Sequence, residues 1–317
     1  MREFLPLISK FGDLSQDENF SILVEHVCTF VERNQVPWND KFGQRILFCR
    51  KTVYNQAKAS CERLNLQEHC CLNNELYLLS IFDALMDFFA DANGKELWIC
   101  KSMGMSAYHT SLLKFYGQRR LRYIYLVRDP RDVAMSFMNT TVGDKHYYAI
   151  VKKWVKLQGQ AIAILEDTPD NVFNIKYEEL LQNKEDMISS IYDFIGDRRF
   201  GGVKRQASVM SIAPVAASIR QAKHGSESFK AHTLSQQFEN LCRGESFAKL
   251  QMAKWKRPKT GLKRDDLLII ESLAYDVMKY FGYEAAHVKT PSDVLQFTEA
   301  QVEEFARLNE AGTILSR

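Results

Sequence analysis

The segment Tyr123-Ile-Tyr-Leu-Val-Arg-Asp-Pro-Arg-Asp-Val-Ala-Met-Ser136 constrains this chain more than any other stretch. Its first five residues are apolar or aromatic without alternation, as in a strand covered on both faces of a parallel sheet. The run stops at Arg128, and Asp129-Pro130 turns the chain into a helix. Asp129 suits the N-cap, Pro130 the first helical position, and Asp132 stands where a capping box places an acid. Arg128 therefore arrives at the carboxyl end of a strand, with Ser136 further along the following helix. Ligands of open α/β sheets bind at that edge. An always-charged fork and a hydroxyl beside a helix start suit a phosphate. On the residues alone, Arg128 and Arg131 could equally pair with Asp129 and Asp132 at the surface.

The first third reads as helical. Residues 15–34 open with Ser15 and Glu18 as a capping box and carry Phe20, Leu23, Val24, Val27, Phe30 and Val31 on one face. Similar apolar stripes cover about 43–64 and about 73–91, and such stripes are core rather than cofactor contacts. After the turn signal Asn93-Gly94, Leu97–Lys101 reads as a strand, followed by a helix over about 106–117, a strand over 122–128 and a helix from 130. A helix over 144–166, a strand over 171–177 and a helix over 185–195 complete the series. Strands alternating with helices predict βαβ units and an α/β fold with a parallel sheet flanked by helices. Residues 200–262 show little periodicity and are expected to be loop-rich, with short helices, facing a substrate. The basic run Lys254–Lys259 leads to a helix over 264–281 and an amphipathic helix near 297–309. One domain is expected over 1–286, helical as far as 95, with a tail from 287 to 317.

At 317 residues the chain can bury one substantial core or at most two. A net charge of +3 is too slight to point to nucleic acid. Cys28, Cys49, Cys61, Cys70, Cys71, Cys100 and Cys242 have no zinc-site spacing and read as reduced thiols. With no signal-peptide pattern and no run of 18 apolar residues, a cytoplasmic protein without a membrane span is expected.

The segment around Arg128 resembles the second nucleotide-binding motif of sulfotransferases that use 3′-phosphoadenylyl sulfate (PAPS). In that family a hydrophobic strand leads into Arg-Asp/Asn-Pro-Arg-Asp and then a Ser. Further matches follow in order. Trp98-Ile-Cys-Lys101-Ser102 resembles the preceding strand, which ends in Lys-Thr or Lys-Ser. Tyr177-Glu-Glu-Leu180 and Phe194-Ile-Gly196 are similar to Tyr-Glu-Asp-Leu and Phe-Leu-Gly, and Trp255 with Gly282-Tyr283 to the family's last helix and its basic approach. The resemblance covers about 97–283 and implies a P-loop-like α/β fold.

The resemblance implies a sulfuryl transfer from PAPS to a hydroxyl or amine of a small-molecule or glycan acceptor, with no metal. It assigns the 3′-phosphate to Arg128 and Ser136, with Lys256 and Arg257 closing over it, although a basic run is otherwise a solvated face. Tyr177 would flank the adenine or serve as a core tyrosine. Lys101 would reach the sulfuryl oxygens, or simply leave the sheet for water. Met103 stands where many members carry a catalytic His; His109, which could instead be a structural histidine, and equally His146 are candidate bases, and some relatives use a Glu. None of the fifteen glycines lies in a phosphosulfate loop of the Gly-Thr-Thr kind, and Ile46–Thr52 has no glycine. Met1 is therefore expected to be an internal start, with the first strand and its loop missing. The alternative function is a non-catalytic relative that keeps only the 3′-phosphate side. An unrelated P-loop kinase lacks support without G-x-x-x-x-G-K-[ST].

Overall fold

A computed structural model describes residues 4–33, 47–66, 74–102, 104–141, 143–196, 252–259 and 261–315. The expected loop-rich segment therefore lies, as far as residue 251, outside the described residues, as do Met103, Cys70, Cys71 and Cys242. The chain forms two compact units, Met1–Leu121 and Arg122–Arg317. No helix among the described residues is long and apolar enough to cross a membrane.

The first unit is helical. After a 3₁₀ turn at Leu5–Phe11 come α1 (Asp17–Arg33), α2 (Arg50–Arg63), α3 (Asn74–Ala92) and α4 (His109–Arg120). Helix α1 buries Phe20, Leu23, Val24, Val27 and Cys28, the stripe expected from a 3.6-residue period. Its start differs from the expected box. Ser15 gives its backbone N–H to Asp13 Oδ1 at 2.9 Å, and the first helical bond runs from Phe20 N to the Gln16 carbonyl at 3.0 Å. A local turn thus claims Ser15, and the helix begins one residue later. Helix α2 likewise starts at Arg50, with residues 47–49 irregular before it. Helix α3 runs through the centre of the unit and is buried without interruption from Leu76 to Ile81. The Phe20 ring packs 5.6 Å from Tyr77 and 5.7 Å from Tyr54, between α1, α2 and α3.

Leu97–Lys101 is not a strand. Leu97 is 52% and Ile99 70% exposed, and the backbone is irregular. The Trp98 indole instead donates to Asp87 at 2.9 Å and packs edge-on against Phe82, so side-chain contacts with α3 fix the segment. An apolar run becomes a strand only where a neighbour completes its backbone hydrogen bonds.

The second unit has a parallel pair, β1 (Tyr123–Val127) beside β2 (Val172–Lys176), in register from Tyr123↔Val172 to Val127↔Lys176. The crossover carries α5 (Pro130–Met138) and α6 (Tyr147–Asp167), as parallel strands require. Beyond β2 lie α7 (Tyr177–Gln182), α8 (Lys184–Ile195), α9 (Arg264–Tyr280) and α10 (Glu299–Leu315). Val127, Ala134, Val151, Trp154, Ile270, Ala274 and Met278 join β1, α5, α6 and α9 in one core. That core fixes the carboxyl end of β1 and the start of α5.

Candidate functional site

The strand register positions the first two functional side chains. Because Val127 pairs with Lys176, the residues that follow, Arg128 and Tyr177, emerge side by side at the carboxyl end of the sheet. The Arg128 guanidinium lies 4.5 Å from the centroid of the Tyr177 ring, a cation–π contact. It also reaches back 3.9 Å to Asp132, one helical turn on. Ser136 is a further turn along, on the same face of α5 as Asp132, and half-buried.

The start of α5 has Asp129 at the N-cap and Pro130 as its first residue, as expected, but not the capping box. Asp129 accepts the Arg131 backbone N–H at 2.9 Å. Asp132 does not return to Asp129 to close a box. The Asp129 N–H donates to Glu178 at 3.1 Å instead, and Asp132 accepts the Trp255 backbone N–H at 3.3 Å. Asp132 is fully buried. Burial and the neighbouring Asp129 push its carboxyl above the ordinary value, against the pull of Arg128.

Arg131 is not a surface residue. It is buried, binds both Asp129 oxygens at 2.8 and 2.9 Å, and donates to Glu271 at 2.8 Å. Its guanidinium lies 3.8 Å from the Trp255 ring centroid. Glu271, fully buried on α9, also accepts the N–H groups of Ala286, His287 and Val288. Burial alone would raise its pKa, but those three N–H groups and Arg131 prevail and hold it below the ordinary value. Glu178 completes the frame, accepting the Tyr283 hydroxyl at 2.8 Å. The Tyr-Glu-Glu-Leu and Gly-Tyr elements of the sequence thus brace the loop that presents Arg128. Glu271 and Glu178 were not expected as site residues. A signal existed for Glu271, a lone acid inside the apolar stripe Leu267, Ile270, Ala274 and Met278.

The basic run forms a tight loop against this frame. Ala253 has a left-handed backbone, φ 47°, unusual for a residue with a Cβ. A 3₁₀ turn at Lys254–Lys256 follows. The loop closes through Gly261 N to the Arg257 carbonyl at 2.8 Å and Leu262 N to the Trp255 carbonyl at 3.1 Å. A Cβ on Gly261 would lie 2.4 Å from the Trp255 oxygen, so only glycine fits there. Lys254 is held below the ordinary lysine value, first by burial and then by the charges of Arg128 and Arg257, with Asp132 opposing. Arg128, Lys254 and Arg257 therefore form one cationic cluster. Lys256 is exposed, its ammonium 5.0 Å from the Trp255 ring.

Lys101 and His109 belong to the first unit. Lys101 is exposed on irregular backbone, and half-buried His109 opens α4. His146, the other candidate base, caps α6. Its Nδ1 accepts the Tyr148 N–H at 3.2 Å, its ring stacks 4.8 Å from Phe305, and burial lowers its pKa.

A model of the sulfotransferase family matches residues 25–198, more than half of the chain. The chain belongs to the sulfotransferase family. No curated protein and no solved structure matches it. Within the matched stretch lie β1, Arg128, α5, β2 and Tyr177. Sulfuryl transfer is the chemistry that membership supports. The loop 254–262 lies beyond the match, and its place at the site rests on its contacts with Asp132, Arg131 and Arg128.

Proposed function

We propose that this protein transfers the sulfuryl group of PAPS to a hydroxyl or amine of a small-molecule or glycan acceptor. The observation that carries this is the cluster of Arg128, Lys254 and Arg257 at the end of β1 in a sulfotransferase-family chain. Arg128 and Arg257 both bring like charge to Lys254, and a phosphate dianion there would offset that repulsion. The donor fits this end of the sheet. Arg128 and Ser136 would hold the 3′-phosphate, Arg257 would close over it with Lys254, and the Tyr177 ring would flank the adenine. Lys256, exposed above Trp255, would add charge at the rim. In the transfer the acceptor oxygen or nitrogen bonds to sulfur as the bond from sulfur to the phosphate oxygen breaks. Adenosine 3′,5′-bisphosphate leaves, and the acceptor proton passes to a base. Catalysis of this kind rests on positioning and on charge placed where it develops.

The exposed, irregular setting of Lys101 favours a second reading, a sulfotransferase-like protein that binds the nucleotide without turnover. Calorimetric titration with adenosine 3′,5′-bisphosphate tests the shared part. The chain is expected to bind it, and Arg128→Ala to weaken binding by roughly tenfold to a hundredfold, the worth of a charge-assisted contact. Failure of the folded chain to bind sinks both readings. Binding without transfer of labelled sulfate from PAPS across a panel of phenols, amines and glycans selects the second.

A further inference from the structure

Arg128 faces two ways. Its guanidinium lies against the Tyr177 ring, and on the side of α5 it stands 3.9 Å from Asp132 Oδ2. That distance is beyond a hydrogen bond, so the pair is held by charge alone. Asp132 Oδ1 takes the Trp255 N–H at 3.3 Å, but the buried Oδ2 has no hydrogen-bond partner among the described residues. A carboxylate out of reach of water thus faces a cation that a ligand phosphate would also use, and a buried charge with an incomplete match is costly. The other charges around it are few. Asp129, on the same segment and tied to Arg131, opposes the ionisation of Asp132. Lys254 in the neighbouring loop has its own charge favoured by Asp132. Tyr177 on α7 keeps its hydroxyl proton, first through burial and then through Glu178 and Asp132, against the pull of Arg128.

A phosphate bound by Arg128 changes this balance twice. It engages the guanidinium that Asp132 faces, and it brings about two more negative charges close to the carboxylate. Without ligand, Arg128 and the N–H groups of Trp255 and Lys254 favour the ionised carboxyl. Losing part of that support and gaining a like charge both favour the neutral form, as burial does already. We propose, on the reading that Arg128 holds the 3′-phosphate, that Asp132 is a built-in counter-anion of the phosphate site, charged against Arg128 in the free protein and protonated once a phosphate has taken Arg128. The proton comes from solvent and goes to the Asp132 carboxyl; no other bond forms or breaks. Nucleotide affinity then rises as pH falls, because the bound state holds more protons than the free one. Donor and product carry the same 3′-phosphate, so the linkage acts on both.

Calorimetric titration of the full chain with adenosine 3′,5′-bisphosphate, in buffers of different ionisation heat, counts the protons taken up on binding. Near pH 7 the ligand phosphate, whose second pKa is about 6, can only release protons as it binds. A net uptake therefore comes from the protein. The wild type is expected to take up a fraction of one proton and Asp132→Asn none. Asp132→Asn keeps an oxygen for the Trp255 N–H, and at the same pH it should bind the bisphosphate roughly tenfold more tightly, one repulsion being removed. That gap should narrow as the pH is lowered, because Asp132 is then neutral before the ligand arrives. Lys254→Met should weaken binding yet leave the uptake in place. An uptake lost with Lys254→Met and kept in Asp132→Asn would assign the proton to the lysine and overturn the proposal. If Asp132→Asn does not fold, the wild type and Lys254→Met still decide, since absence of uptake in either overturns it. Binding with the same proton count in wild type and Asp132→Asn overturns this proposal and leaves the nucleotide site standing. A folded wild type that binds no bisphosphate removes the nucleotide site, and the linkage with it.

Discussion

Each unit gathers carboxylates around one arginine, and the two arrangements differ in depth. In the first unit Arg50, at the start of α2, reaches Glu25 on α1 at 3.0 Å and Glu32 at 2.8 Å, with Thr29 at 3.2 Å. The Arg50 side chain is 31% exposed and Glu25 55%. In the second unit Arg131 is 3% exposed and Glu271 not at all. The shallow network clips the rim of a helical core that apolar stripes already hold together. The deep one has no solvent to fall back on, so each charge needs every partner it has. It also sits directly behind the candidate phosphate cluster. The difference is one between a fastening and a foundation.

Substituting Glu271 breaks the comparison most severely. Glu271→Gln removes one of the two acceptor oxygens, sets an amide NH2 against backbone N–H and leaves Arg131 short of a buried counter-charge, and it should cost about 3 kcal/mol near neutral pH. Urea unfolding followed by tryptophan fluorescence measures this. The pH dependence adds a second check. Since the folded pKa of Glu271 lies below the ordinary 4.5, its contribution is complete above that value and is lost as pH falls through the folded one. The gap between wild type and variant should therefore close in acid, and a gap unchanged at low pH would show that charge is not its source.

Gly261→Ala should come next, at about 1–3 kcal/mol, the usual cost of forcing atoms into packed backbone. It should also weaken binding of adenosine 3′,5′-bisphosphate, because the loop that carries Lys254 and Arg257 must shift. A variant that lost stability but bound the nucleotide unchanged would detach the loop from the site. The smallest effect is expected from Arg50→Met. Partly solvated pairs contribute about 1 kcal/mol or less, and the same urea titration should find no more than that. A loss as large as that of Glu271→Gln would erase the distinction between the two networks.

The legible parts of the fold are those fixed by neighbours in sequence. Helices α1, α3, α6 and α9 follow from apolar residues returning every three or four positions, and β1 and β2 from short apolar runs ending in polar turns. The exceptions have physical causes. Ser15 had an alternative partner in Asp13, so the expected cap was not used. Leu97–Lys101 had the composition of a strand, and Trp98 anchors it to α3 instead. A surface pairing of Arg131 with Asp129 or Asp132 was open on the residues alone; Arg131 does bind Asp129, but it is buried, and its second carboxylate is 140 residues away in the chain. No local pattern announces such a partner.

By itself, then, the sequence determined which segments are helices, that an arginine would end a strand and start a helix, and the family to which the chain belongs. Each of these is written in residues within a few positions of one another, where backbone geometry and capping act. Only the tertiary structure decided that Arg128 would face Tyr177, that Asp132 would hold the loop of Trp255, and that Glu271 would be buried against Arg131. Those are pairings across long loops, chosen because a charge taken out of water must find its complement wherever the packed chain brings one.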